Sequence, residues 1–167
     1  MGKTSNQDNI SGHHIKTSDK GEQLMIIKPA ESTDRDQAFE YICKIWTYNT
    51  YEKEPTLKVY DEVLNDPSSF AFFLMDEEGG YHGFCHGVYF NTFWMTGMTC
   101  YVSSIYTNEE DRGKGYGIML MDHAAELARA KGCKALVLDS GLPRKEAHRF
   151  YEKYGFEKGC YGFDLML

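Results

Sequence analysis

Ile105-Tyr106-Thr107-Asn108-Glu109-Glu110-Asp111-Arg112-Gly113-Lys114-Gly115-Tyr116-Gly117 joins two segments of different period. Thr99 to Thr107 reads as a strand. Gly115 to Lys131 reads as an amphipathic helix, with Ile118, Met121, Ala124, Ala125 and Ala128 on one stripe. Between them runs a polar loop in which three glycines alternate with other residues. Glycines at that point let a ligand approach the backbone. The first-turn N–H groups of the helix have no partner within it and lie at the positive end of its dipole. Arg112 and Lys114 add positive charge, and the whole is a recipe for holding a pyrophosphate.

Two familiar phosphate loops do not fit. A P-loop needs GK[ST] after a four-residue gap, which is missing. The dinucleotide GxGxxG pattern starts at neither Gly113 nor Gly115, and no βαβ unit opens the chain. What remains is R-G-K-G-Y-G after the fourth strand of a mixed sheet.

Outward from this loop the elements fall in order. Leu24 to Lys28 is a first strand, stopped by Pro29. Asp34 to Tyr48 is a helix with Phe39, Ile42, Cys43 and Trp46 at helical spacing. A loop through Asn49 to Pro55 leads to a second helix near Thr56 to Asn65. Phe70 to Met75, Tyr81 to Phe90 and Thr99 to Thr107 are strands, the first two joined by a turn at Glu77 to Gly80. After the long helix, Gly132 closes the turn, and Ala135 to Asp139 is an apolar strand. Arg144 to Tyr154 is a helix with Ala147, Phe150, Tyr151 and Tyr154 on its stripe, and Gly162 to Leu167 is a last strand. The expected fold is therefore α/β, a mixed sheet in the order β-α-α-β-β-β-α-β-α-β. Residues 1–23 are polar and aperiodic and are expected to form a flexible arm, with 24–167 as a single domain.

The totals set bounds. The chain has 167 residues and a net charge of -7. That balance argues against nucleic acid as a partner and suits a cationic amine. No apolar run is long enough for a membrane span, and the first two dozen residues lack the apolar stretch of a secretory signal. Five cysteines are scattered without CxxC spacing, so neither a metal site nor a disulfide framework is expected. Reduced thiols point to a cytoplasmic location.

Two motifs together resemble the GNAT superfamily of acyl-CoA N-acyltransferases. Its signature Gln/Arg-x-x-Gly-x-Gly/Ala is met by Arg112, Gly115 and Gly117. Its Ala-x-x-Phe-Tyr-x-x-x-Gly-Phe helix is met by Ala147-His148-Arg149-Phe150-Tyr151-Glu152-Lys153-Tyr154-Gly155-Phe156. The resemblance covers 24–167, and its nearest flavour is the aminoalkylphosphonate-acetyltransferase-like group. It implies a GNAT-like fold with acetyl-CoA as co-substrate and no metal. It also implies transfer of acetyl to a primary amine by direct attack in a ternary complex. By the same resemblance, Ile105, Tyr106 and Thr107 hold the pantetheine arm through their backbone. Arg112, Gly113, Lys114, Gly115, Tyr116 and Gly117 hold the pyrophosphate. Tyr151 is the expected general acid. In the family the last strand often pairs across a homodimer.

The sequence departs from the family in two places. No Asp or Glu lies between Tyr81 and Asn108, so the strand glutamate that serves as base in many relatives is missing. Tyr101 and Ser104 stand where it is expected. His86 is one alternative base, a water chain or a substrate already partly neutral would need none, and Glu52 and Glu54, in the loop between the first helices, are candidates to bind a cationic amine. Gly141 stands where relatives often carry an Asn that helps hold CoA. Trp46, Tyr48, Tyr51, Tyr89 and Trp94 are aromatics available to shape an acceptor pocket. The acceptor is a small-molecule or protein amine. The competing reading is a non-catalytic acetyl-CoA-binding module, which needs the glycine loop but not the phenol.

Overall fold

Alternation along the central strands divides the molecule into two apolar faces. In the computed structural model, which describes residues 14–15 and 24–167, six strands form one sheet in sequential order. They are β1 (His14–Ile15), β2 (Met25–Pro29), β3 (Ser69–Asp76), β4 (Tyr81–Thr92), β5 (Gly97–Thr107) and β6 (Ala135–Val137). The helices are α1 (Arg35–Ile45), α2 (Lys53–Asn65), α3 (Tyr116–Ala130) and α4 (Lys145–Tyr154). Neighbours β1 to β5 are antiparallel, and β6 joins β5 in parallel after the α3 crossover.

Phe72 and Leu74 of β3, Cys85 of β4 and Val102 of β5 turn to one face, where they meet Leu120, Met121 and Ala124 of α3 and Tyr151 of α4. Phe73 and Phe84, one residue out of phase, turn to the other face and pack on Ala38, Tyr41 and Ile45 of α1 and Tyr60 of α2. The period of two along the strands thus builds three layers, with a helix pair on each side of the sheet.

Two local features position the site. Opposite His86 and Gly87 the register slips: His86 faces Ser104 while Gly87 faces Val102, so Ser103 is an extra residue in β5. The bulge inverts the facing of the residues after it. Val102 belongs to the α3 side, whereas Ser104, two residues on, lies beside His86 on the α1/α2 side. The second feature is a split. β5 runs to Thr107, but its pairing with β6 ends at Tyr101 and Val137. Beyond that point the two parallel strands diverge.

The expected elements are found, with shifted ends and one correction. The second helix starts at Lys53 rather than Thr56, taking in part of the expected loop. The expected fourth strand is β5. The last strand expected at Gly162 to Leu167 is not formed. Its alternation is strand-like, but a strand needs a paired neighbour; no strand pairs with it among the described residues, and Tyr161, Phe163, Leu165 and Leu167 stay exposed. The arm expected over 1–23 lies outside the described residues, apart from the backbone of His14–Ile15 paired to β2. All five cysteines are free, with Cys85 and Cys100 buried in the sheet. Among the described residues no helix is long and apolar enough to cross a membrane.

Candidate active site

The split between β5 and β6 opens a cleft of about 590 Å³. Val102, Ser103 and Ile105 line its β5 wall, Leu138 to Gly141 line the wall that continues β6, and Tyr151 of α4 stands at its side. Tyr151 is 8% exposed and packs edge-on against Phe150 and Phe156, with ring centroids 5.4 and 5.9 Å away. Burial raises its phenol pKa above the ordinary 10.0, against a smaller opposing pull from Arg144. The phenol is therefore held protonated through neutral pH.

On the opposite face a second cavity, of about 410 Å³, lies between α1, α2 and the strands. Ile42 of α1, Trp46 just past its end, Val59 of α2, Tyr51, Phe84, His86, Ser103 and Ser104 are among its lining residues. Trp46 and Ser103 line both spaces. These two residues, the second of them at the bulge, are common to both walls.

His86 is among the polar residues that line this second cavity. Its Nε2 is buried and makes no hydrogen bond among the described residues. Desolvation lowers its pKa from the ordinary 6.5, against a weak opposing pull from Asp66. The imidazole is thus neutral at neutral pH, with proton-accepting capacity to spare.

The glycine loop lies beyond the end of β5. Gly113 and Gly115 hold φ of +85° and +86°, and open space lies where their side chains would be. That left-handed backbone turns the chain into α3 with its first amides outward. Among the described residues the N–H groups of Gly113, Gly115, Tyr116 and Gly117 donate to no backbone carbonyl, whereas Ile118 and Met119 already reach Gly115. Gly117 also admits α4: an added methyl would stand 3.3 Å from the Phe150 ring. The side-chain charges are not free. Arg112 pairs with Glu109 at 3.1 Å and Lys114 with Asp111 at 2.7 Å. The anion-binding capacity of the loop therefore rests on amides and the helix dipole more than on its two cations.

Sequence reasoning missed what holds this loop. His82 of β4 lies between two carboxylates: Nδ1 is 2.7 Å from Asp111 and Nε2 is 2.8 Å from Asp76. The side chains of Asp111 and Asp76 are 3% and 8% exposed. His82 also packs edge-on to Tyr116, the first residue of α3, at 5.5 Å. Burial opposes the charge on His82, but the two carboxylates outweigh it and raise its pKa above 6.5. Burial likewise opposes ionisation of Asp111, and Lys114 and His82 overcome it, so its pKa is lowered. The Asp-His-Asp clamp ties the glycine loop to the sheet. Positions 76, 82 and 111 carry no spacing that announces the contact; only the hairpin fold brings them together.

The two cavities sort the expected residues. Ile105 and Tyr151 line the cleft, and His86 lines the second cavity. Tyr106 turns to the other face and packs on Tyr41 at 5.2 Å. Thr107 ends β5, and Arg112 to Gly117 form the loop outside both cavities. Glu52 and Glu54 are exposed and line neither space. Of the five aromatics, Trp46 and Tyr51 line the second cavity and Tyr48 the cleft. Tyr89 packs on Phe70 in the core, and Trp94 is exposed in the β4–β5 turn.

Known proteins share this architecture. A crystal structure of a transcriptional regulator from Bacillus halodurans matches with a TM-score of 0.77 at 22% identity, covering 86% of this chain and 99% of that one. The aminoglycoside N-acetyltransferase AAC(6')-Iy, solved with CoA, matches with a TM-score of 0.76 at 15% identity, covering 87% and 96%. These likenesses concern the fold. In sequence, the uncharacterised N-acetyltransferase YhdJ of Bacillus subtilis is 44% identical over 68 residues, which is 40% of this chain and 48% of that protein. The uncharacterised N-acetyltransferase MJ1207 of Methanocaldococcus jannaschii is 27% identical over 112 residues, 65% of this chain and 48% of that one. The chain thus spans about half the length of these curated relatives. The model of the acetyltransferase (GNAT) family matches residues 35–156, from the start of α1 through α4 to Phe156, and the chain belongs to that family.

Proposed function

We propose that this chain is an N-acetyltransferase that uses acetyl-CoA and a primary amine in one ternary complex. The observation that carries the proposal is that the two cavities share Trp46 and Ser103 in their walls, with a protonated phenol lining one and a neutral imidazole lining the other. The family match supports the acetyl donor, and the solved neighbours named as aminoglycoside N-acetyltransferases support an amine acceptor.

Bound acetyl-CoA supplies an acetyl group activated on sulfur. The donor-side residues fit it. The unpaired edge of β5 around Ile105 offers backbone groups to an extended arm, as an added strand does. The open amides of Gly113 to Gly117 fit a diphosphate. His86 accepts the proton that the amine nitrogen sheds as its bond to the carbonyl carbon forms. Tyr151 gives a proton to sulfur as the carbon–sulfur bond breaks. An ordinary thiol sits at about 8.5 and an ordinary phenol at about 10; burial raises Tyr151 further, so the phenol stays protonated until sulfur takes up charge, and the transfer relies on its coupling to carbon–sulfur cleavage. Backbone N–H groups near Ile105 are the oxyanion donors in this scheme.

The test combines calorimetry with CoA and thiol release from acetyl-CoA over a set of amines. Binding without thiol release on any amine favours the non-catalytic module. A variant isolates the loop. Gly115→Ala meets no steric neighbour, so its cost is the left-handed backbone alone, about 1–2 kcal/mol. It is expected to weaken CoA binding about tenfold if that strain is relieved by moving the amides. Turnover at saturating acetyl-CoA should change little. Unaltered CoA affinity in a folded Gly115→Ala protein would move the diphosphate elsewhere.

A further inference from the structure

The acceptor can be narrowed beyond "an amine", on a reading that rests on the transferase proposal above. The second cavity takes its walls from an apolar stripe of α2, where Thr56, Val59, Tyr60 and Val63 recur at helical spacing, and from Ile42, Trp46 and Phe84 opposite. None of its lining residues is Asp, Glu, Lys or Arg. The chain's acidic excess lies elsewhere. Glu52 and Glu54 are exposed and stand outside the lining, although they flank it in sequence. A volume of about 410 Å³ suits a ring with a short side chain.

We infer that the acceptor is a hydrophobic primary monoamine of arylalkyl type, which inserts its ring among Trp46, Phe84 and the α2 stripe and presents its nitrogen to His86 and the shared wall at Ser103. A buried ammonium needs a carboxylate partner or strong hydrogen bonds, and this cavity is lined by no carboxylate. A second or third ammonium on a polyamine or aminoglycoside would have to remain there for the whole reaction. A monoamine has one nitrogen, which enters neutral, becomes positive only as the nitrogen–carbon bond forms, and then passes that proton to the His86 imidazole. The apolar remainder gains by leaving water. Aromatic faces at Trp46, Tyr51, Tyr60 and Phe84 give a ring edge and face partners.

The experiment compares 2-phenylethylamine, cadaverine and spermidine as acceptors at saturating acetyl-CoA, in the full chain and in Val59→Asp. Val59 is 57% exposed at the cavity lining, so the substitution adds a carboxylate without opening the core. In the unaltered chain kcat/KM for 2-phenylethylamine is expected to exceed that for spermidine about 100-fold, since several apolar contacts are involved. Val59→Asp should lower the value for 2-phenylethylamine and raise that for cadaverine, shrinking the ratio about tenfold or more. Preference for spermidine or cadaverine in the unaltered chain would overturn the acceptor class and leave the transferase reading standing. An unchanged ratio in a folded Val59→Asp protein would overturn the placement of the amine in this cavity. Acetyl-CoA binding with no thiol release on any of the amines would overturn the transferase reading, and this inference with it.

Discussion

Replacing Tyr151 with phenylalanine is expected to lower kcat by about 10²–10³ while KM for acetyl-CoA stays nearly constant. The substitution removes one oxygen and leaves the ring, which keeps its edge contacts with Phe150 and Phe156. Melting temperature should therefore move little, and a loss of turnover cannot be charged to unfolding. Burial holds the phenol protonated, so in the proposed scheme it enters each cycle as a donor. Without it the departing sulfur must leave as a thiolate or find a proton from water. The deficit should be smaller for an acyl donor whose thiol is more acidic, because that leaving group needs less assistance. Equal turnover of Tyr151→Phe and the unaltered chain would take the tyrosine out of the chemistry and reduce it to a core aromatic on the α4 stripe.

The fold was legible because its signals are periodic. Phe72, Phe73 and Leu74 alternate between two buried faces, and Leu120, Met121, Ala124, Ala125 and Ala128 repeat on one side of α3. The crossover into β6 could be read from the glycine loop and the helix after it. The last strand misled because Tyr161, Phe163 and Leu165 have strand alternation, yet alternation reports a face and not the neighbour that a strand requires. In the site, Tyr151 and the glycines were readable from the family resemblance. His86 was readable only as the ionisable residue left on a strand without carboxylates. The bulge at Ser103 was not, because a one-residue slip between β4 and β5 depends on pairing between distant segments. Glu52 and Glu54 were drawn in by charge and by position in the loop. The early start of α2 at Lys53 leaves them outside the cavity that its other face lines. The positive charge read into Arg112 and Lys114 is largely answered by Glu109 and Asp111 of the same loop.

Substituting His82 by alanine is expected to destabilise the protein by about 3 kcal/mol, near the low end for breaking a buried ion pair. For a chain of this size that is a fall in melting temperature of about 10 °C. The low end is chosen because the carboxylates keep other partners: Lys114 remains on Asp111, and the N–H groups of Gly80 and Glu78 remain on Asp76 at 2.7 and 3.0 Å. Asp76→Asn in the same chain should recover part of the loss by removing one of the charges left facing the gap. The pH dependence distinguishes a charged clamp from simple packing. His82 has a folded pKa raised above its ordinary 6.5, so its contribution is complete below 6.5 and is lost as pH rises through the folded value. Asp76 and Asp111 have folded pKa values lowered from 3.8, so theirs is complete above 3.8 and is lost as pH falls through the folded values. The stability gap between the unaltered chain and His82→Ala should therefore be widest between pH 3.8 and 6.5 and should close on the alkaline side. The clamp also fixes where α3 begins, through Asp111 and the Tyr116 ring. KM for acetyl-CoA should then rise severalfold in His82→Ala, with kcat at saturation largely kept. A gap independent of pH would show that the ring acts by shape alone, and an unmoved KM would separate the clamp from the amide loop it is argued to hold.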